Sequence, residues 1–337
     1  MNRMTFSVAK VAAIVLAAAI VAMPVSASSK SKAYKGPIID MHLHAFPADG
    51  NGPPPLATCA GFASDLRYDP ATPWPQEMMR LSKDTKCDDP IWGAMTDDAV
   101  REDTIAALQR LNAIGVLSGT AEMIGIWQDA APGMFIAGRG INVESTTATA
   151  EDIRAEFEAG GFEVLAEVTN QYSGVLADDP RFDAYWAAAA ELDFPVGLHL
   201  GVGPPGAPHF YPDFLVQGPR QIEPILKRHP TLRVYLMHAG YPFINELKAM
   251  LYLYPQLYVD TGVLQIATTR ADYHAFLEEL VRAGFVDRIM FGSDQMNWPG
   301  LIEEGVDAIN DAPFLTYEQK KAILHDNAAR FLRLPTE

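Results

Sequence analysis

The sequence predicts an α/β fold, a (β/α)8 TIM barrel with a long β1–α1 insertion. Three observations predict it. Eight short apolar runs alternate with helix-length amphipathic stretches, the pattern of parallel strands joined by helical crossovers. These units fill about 300 residues, enough for such a barrel. Histidines and carboxylates collect at the C-terminal ends of the runs, where a barrel keeps its chemistry. A doubly wound open sheet is the main alternative, but no G-x-G-x-x-G follows an early strand. The stretch Gly201-Val202-Gly203-Pro204-Pro205-Gly206 reads as a shaped turn, because its prolines remove amides that a phosphate would need.

Residues 1–27 read as a secretory signal peptide. Arg3 and Lys10 supply positive charge, Val11 to Met23 is apolar throughout, and Val25-Ser26-Ala27 offers a small-residue cleavage site. The apolar run is shorter than the roughly 20 residues of a membrane span. The expectation is a secreted or periplasmic protein with no stable membrane insertion after cleavage. Residues 28–36 form a polar linker and 37–335 the barrel. A formal charge of −16 disfavours nucleic acid as a partner and leaves a small-molecule substrate. Cys59 and Cys87 are the only cysteines, and in an exported chain an even count suggests a disulfide.

The first strand spans about 37–43. Residues 45–95 follow as a lid-like insertion whose eight prolines exclude long helices, apart from a short one near 76–81. From Thr96, an N-cap, helix and strand alternate. Strands are expected at 114–117, 134–137, 162–168, 195–200, 232–237, 257–259 and 288–291. Helices are expected at 149–159, 180–192, 218–228, 243–252 and 271–283, with two more near 300–309 and 317–332 to close the chain.

The strand ends carry the chemistry. In strand one, Asp40, His42 and His44 alternate onto one face, and two imidazoles so placed suit a transition metal. Strand three is followed by Arg139, and strand four ends near Glu167. His199 ends strand five, His238 strand six, Asp260-Thr261 strand seven and Ser293-Asp294 strand eight. A lone histidine beside an apolar strand is ordinarily a satisfied core residue. Four at strand ends, with two carboxylates beside them, converge on one point in a barrel and predict a metal site. Asp40 either orients one of the two imidazoles or caps the barrel floor.

The segments P-I-I-D-M-H-L-H, V-G-L-H-L-G, V-Y-L-M-H-A-G, M-F-G-S-D and I-L-H-D-N-A-A-R-F-L resemble, in order, the motifs of the amidohydrolase superfamily, most closely its amidohydrolase-2 branch of metal-dependent hydrolases and decarboxylases. The resemblance covers about residues 37–333. It implies a (β/α)8 barrel in which His42, His44, His199 and Asp294 ligate a metal, usually zinc. It implies that His238 is catalytic or, with two metals, a further ligand. Glu167 stands where two-metal members place a bridging ligand; otherwise it would form a salt bridge, with Arg139 as the nearest candidate. The function expected is hydrolysis of a C–N or C–O bond, with Asp294 as proton carrier. Decarboxylation at the same site and a non-catalytic binding role are the alternatives. Arg139, Arg67 and Trp74 are candidate substrate contacts, and aromatic residues in the lid and the 201–211 loop hint at an apolar or aromatic substrate.

Overall fold

The computed structural model describes residues 31–62, 66–85 and 87–335. The expected signal peptide lies outside the described residues. Eight strands appear as β1 Ile38–His44, β2 Ala113–Ser118, β3 Phe135–Ala137, β4 Leu165–Val168, β5 Val196–His199, β6 Val234–Met237, β7 Leu257–Asp260 and β8 Ile289–Met290. They pair in parallel as β1–β2–β3 and β4–β5–β6–β7–β8. Parallel bridges Gly138↔Val164 and Ile141↔Val168 join β3 to β4. Across the other seam the Met41 N–H donates to the Phe291 carbonyl at 2.9 Å, and the Asp294 N–H to the His42 carbonyl at 2.8 Å. A helix follows each strand, the first at Asp97–Arg110 and the last of the series at Leu301–Asp311. Thr96, Thr120, Thr149 and Thr269 each accept a first-turn amide, which sets where those helices begin. Among the described residues no helix is long and apolar enough to cross a membrane.

Two cores follow from the alternation of strand residues. Ile38, Leu117, Leu165, Leu198, Leu236, Val259 and Ile289 pack outward against the helices. Ile39, Met41, Val116, Ala166, Tyr235, Met237 and Met290 fill the lumen, with Ala328 and Phe331 of the last helix beneath them. β5 contributes Gly197 there. A Cβ at that position would lie 2.5 Å from the Tyr235 hydroxyl, so the phenol occupies the space. β1 departs from simple alternation. Met41 belongs to the lumen and Leu43 to the outer core, and pairing with β2 shifts register between Asp40 and Leu43. The irregularity re-aims the end of β1 toward the barrel mouth.

The insertion contains a two-stranded antiparallel ribbon, Ala57–Thr58 with Ile91–Trp92, and a helix at Trp74–Lys83. The ribbon went unread in the sequence because each strand has two residues. A Cys59–Cys87 disulfide closes the segment. It can contribute about 3–4 kcal/mol by restricting the unfolded chain. Leu56 packs with Ile266, Trp298 and Leu301, and the Gly61 N–H donates to the Ile266 and Thr268 carbonyls, so the insertion lies over the β7 and β8 loops.

Candidate metal centre

β1 delivers His42 and His44, β4 is the source of Glu167, and the turn after β8 carries Asp294. His42 Nε2 lies 2.5 Å from Glu167 Oε1 and 3.8 Å from Asp294 Oδ1. His44 Nε2 lies 3.1 Å from Glu167 Oε1 and 3.0 Å from Asp294 Oδ1. Four donor atoms thus form a closed ring. Ligands bound at about 2.0–2.2 Å around a tetrahedral centre stand roughly 3.3–3.6 Å apart; the four distances fall on either side of that spacing, with His42 and Glu167 in direct hydrogen-bond contact, and the N/O donor set suits a divalent metal. Two overlapping triads meet the geometry of an ion site: His42, His44 and Glu167, and His42, His238 and Asp294.

The electrostatics agree. Burial alone would raise the Glu167 carboxyl, yet His44 and His42 hold it well below the usual range. Asp294 behaves alike: burial opposes its charge, and His42 and His44 outweigh burial. Burial would lower His44, but Glu167 and Asp294 push it up to about 9. Such a site stores charge of both signs at close quarters, and a cation can replace the protons.

His199 and His238 form the neighbouring layer. Their Nε2 atoms face each other at 2.9 Å. His199 Nδ1 lies 3.1 Å from Gln171 Oε1, and its Nε2 2.8 Å from the Tyr172 hydroxyl. Burial and the charge of His238 lower His199 to about 3, so it stays neutral. His238 Nδ1 faces the Gly262 carbonyl at 2.9 Å and stands 3.9 Å from Asp294 Oδ2. His238 and Asp294 both hold left-handed backbone conformations, φ 57° and 51°. Such residues cost energy in isolation and cluster where side chains must be aimed.

Asp40 does not reach an imidazole: its Oδ1 accepts the backbone N–H groups of His42 and Ser293, both at 2.9 Å. The ring of His42 is held instead by Asp260, whose Oδ2 lies 3.0 Å from Nδ1. Asp260 ends β7 in the sequence, and that position was the signal for it. Tyr172 and Gln171 carried none, because they sit on a short 3-10 turn after β4 (Asn170–Ser173).

The three candidate substrate residues lie elsewhere. Arg139 binds Glu156 at 3.1 Å and the Gly140 carbonyl at 2.7 Å; the partners of Glu167 are therefore histidines and not Arg139. Arg67 is exposed, with a guanidinium nitrogen 3.0 Å from the Leu66 carbonyl. Trp74 is buried, stacks on His209 at 5.9 Å and meets Tyr68 edge-on at 5.0 Å. It fastens the insertion to the 201–211 loop. A cavity of about 270 Å³ opens beside His44 and Glu167; its other lining residues include Ser118, Asn142, Thr146 and Thr169, and none of the described lining residues is Lys, Arg, Phe, Tyr or Trp.

A model of the Amidohydrolase family matches residues 39–334. No curated protein matches the chain. Several solved structures do. An uncharacterized TIM-barrel protein from Bordetella bronchiseptica is 19% identical at a TM-score of 0.56, covering 88% of this chain and 99% of that one. A probable 2-pyrone-4,6-dicarboxylic acid hydrolase from Acinetobacter baumannii, with citric acid bound, is 15% identical at 0.56 over 88% and 99%. A 5-carboxyvanillate decarboxylase from Novosphingobium aromaticivorans, with bound manganese and 3-methoxy-4-hydroxy-5-nitrobenzoic acid, is 14% identical at 0.56 over 90% and 100%. At such identities these structures speak to the barrel alone, whereas the family match runs from the first strand to the closing helix, and by it the chain belongs to the amidohydrolase family.

Proposed function

We propose that this protein is an exported metal-dependent hydrolase that uses zinc to cleave a C–N or C–O bond in a small amide, ester or lactone. One observation carries the reading: the ring of donor atoms from His42, His44, Glu167 and Asp294 at the barrel mouth. His199 completes the set we assign to the metal from the neighbouring layer, where its Nε2 faces His238 at 2.9 Å. A bound divalent metal would supply Lewis acidity and bring the pKa of water down from 15.7 to about 7.

The chain supplies the rest. Asp294 takes the proton of the attacking water and passes it to the leaving group, from its place in the donor ring 3.0 Å from His44 Nε2. His238, braced through Nδ1 by the Gly262 carbonyl and 3.9 Å from Asp294 Oδ2, is the group we assign to the developing oxyanion. The cavity beside His44 is lined by hydroxyls and an amide and has no Arg to grip a carboxylate bidentately, which favours a neutral, hydrogen-bonding substrate over an aromatic acid. That lining is also what supports hydrolysis over decarboxylation, the reaction named for one of the structural relatives. The disulfide and the apolar leader support export to an oxidising compartment.

Metal analysis per chain, followed by a screen of esters, lactones, amides and aromatic acids in oxygen-labelled water, tests the proposal. Label entering the product is the expected result. Carbon dioxide released without label would assign decarboxylation, and a chain that takes up no metal in zinc-supplemented medium would refute the metal site.

A further inference from the structure

We propose that Asp260 is the positioning residue of this site, fixing the tautomer of His42 and the seat of His238 with a single carboxylate. The inference rests on the reading of His42 as a metal ligand. Two aspartates, Asp40 and Asp260, are fully buried beside the site, and each accepts two backbone amides. Only Asp260 also meets an imidazole. Its Oδ1 accepts the N–H groups of His238 and Gly262, both at 2.9 Å, and its Oδ2 lies 3.0 Å from His42 Nδ1.

A carboxylate oxygen is an acceptor, so the proton of that contact sits on His42 Nδ1. The lone pair of Nε2 is thereby left for the ring of donors formed with Glu167 and Asp294. The same short segment serves the second imidazole, because the Gly262 carbonyl takes His238 Nδ1–H at 2.9 Å. Gly262 also has to be a glycine here: a Cβ would stand 2.5 Å from His42 Nδ1. Carboxylates behind metal-binding histidines commonly hold the tautomer, and losing one typically weakens metal binding about 10–100-fold.

Asp260→Asn and Asp40→Asn separate this role from a structural one. Each keeps an oxygen for the backbone amides. Asp260→Asn turns a donor toward His42 Nδ1 or removes its acceptor; Asp40→Asn touches no ring. In chelator competition with zinc, Asp260→Asn should bind about 10–100-fold more weakly than wild type. Asp40→Asn should stay within about threefold. Nitrogen-15 NMR of the histidines in zinc-loaded wild type should show a proton on His42 Nδ1 and none on Nε2. Equal zinc affinity of Asp260→Asn and wild type, or a bare Nδ1 on His42, would overturn the proposal. If wild type takes no zinc, the metal reading fails separately. The Asp260 bond is then decided by the His42 Nδ1 signal, which should move in Asp260→Asn and not in Asp40→Asn. Thermal unfolding of both variants identifies any loss of fold, and should Asp260→Asn not fold, the wild-type NMR result decides alone.

Discussion

At the scale of single residues, the two imidazoles of β1 have different duties. His44 faces the mouth, where Glu167 and Asp294 outweigh its burial and push it up to about 9. In protein stripped of metal, this group is protonated at neutral pH, and zinc must displace that proton. His42, which burial would lower but Asp294 and Asp260 raise, must also give up a proton; zinc affinity should therefore rise at least about tenfold per pH unit between pH 7 and roughly pH 9, measured by chelator competition. The same raised value stabilises the stripped fold below the ordinary histidine range, a contribution lost as pH rises through about 9. His238 has a different expected signature. His238→Ala should keep its metal and lower kcat about 10²–10³-fold. Metal content halved in that variant would instead make His238 a ligand to a second ion.

At the scale of elements, the insertion is held by particular contacts, and Trp74 is the central one. Gly206 faces it across the joint: its φ is +73°, and a Cβ there would lie 1.9 Å from Trp74 Nε1. Gly206→Ala therefore combines a left-handed backbone penalty with an overpacked contact. It should lower stability by about 2–4 kcal/mol in denaturant unfolding and open residues 45–95 to proteolysis. A loss below about 1 kcal/mol would mean that the 201–211 loop yields instead. From sequence alone Trp74 suits a substrate contact as well as packing, because a large aromatic in a lid serves either purpose. Only the position of Gly206, more than a hundred residues away, reveals the packing role.

Over the whole molecule, the barrel was legible because its signals are local. An apolar run such as Val196–His199, ending in a histidine and followed by Leu200-Gly201, declares a buried strand without knowledge of its neighbours. The ends of His42, Glu167 and Asp294 were legible for the same reason, since a barrel brings all strand ends to one side. What stayed hidden depends on orientation within a fraction of a turn. Strict alternation in β1 puts Asp40 beside His42, whereas the register shift hands that ring to Asp260. Arg139 follows a strand as a substrate anchor would, but Glu156 claims it from one helix away. The charge of −16 acts at this scale too. Hydrolysis of a neutral ester should change little with ionic strength. An anionic substrate should gain in kcat/KM as salt rises, because screening reduces repulsion over about 10 Å at 0.1 M. Equal salt responses for the two would show that the field at the mouth is not that of the whole protein.

The seam between β1 and the segment after β8 has a consequence for biogenesis. Gln295 clamps the end of β1, accepting from the His44 N–H at 2.9 Å and donating to the His44 carbonyl at 2.7 Å. Asp294 stands beside it, so the donor ring unites residues made early in synthesis with residues made almost last. A growing chain owns both histidines long before it owns the carboxylate that faces them. On the proposed function, the four donors are complete only once the two ends of the barrel have met, so a loaded metal would certify a finished fold.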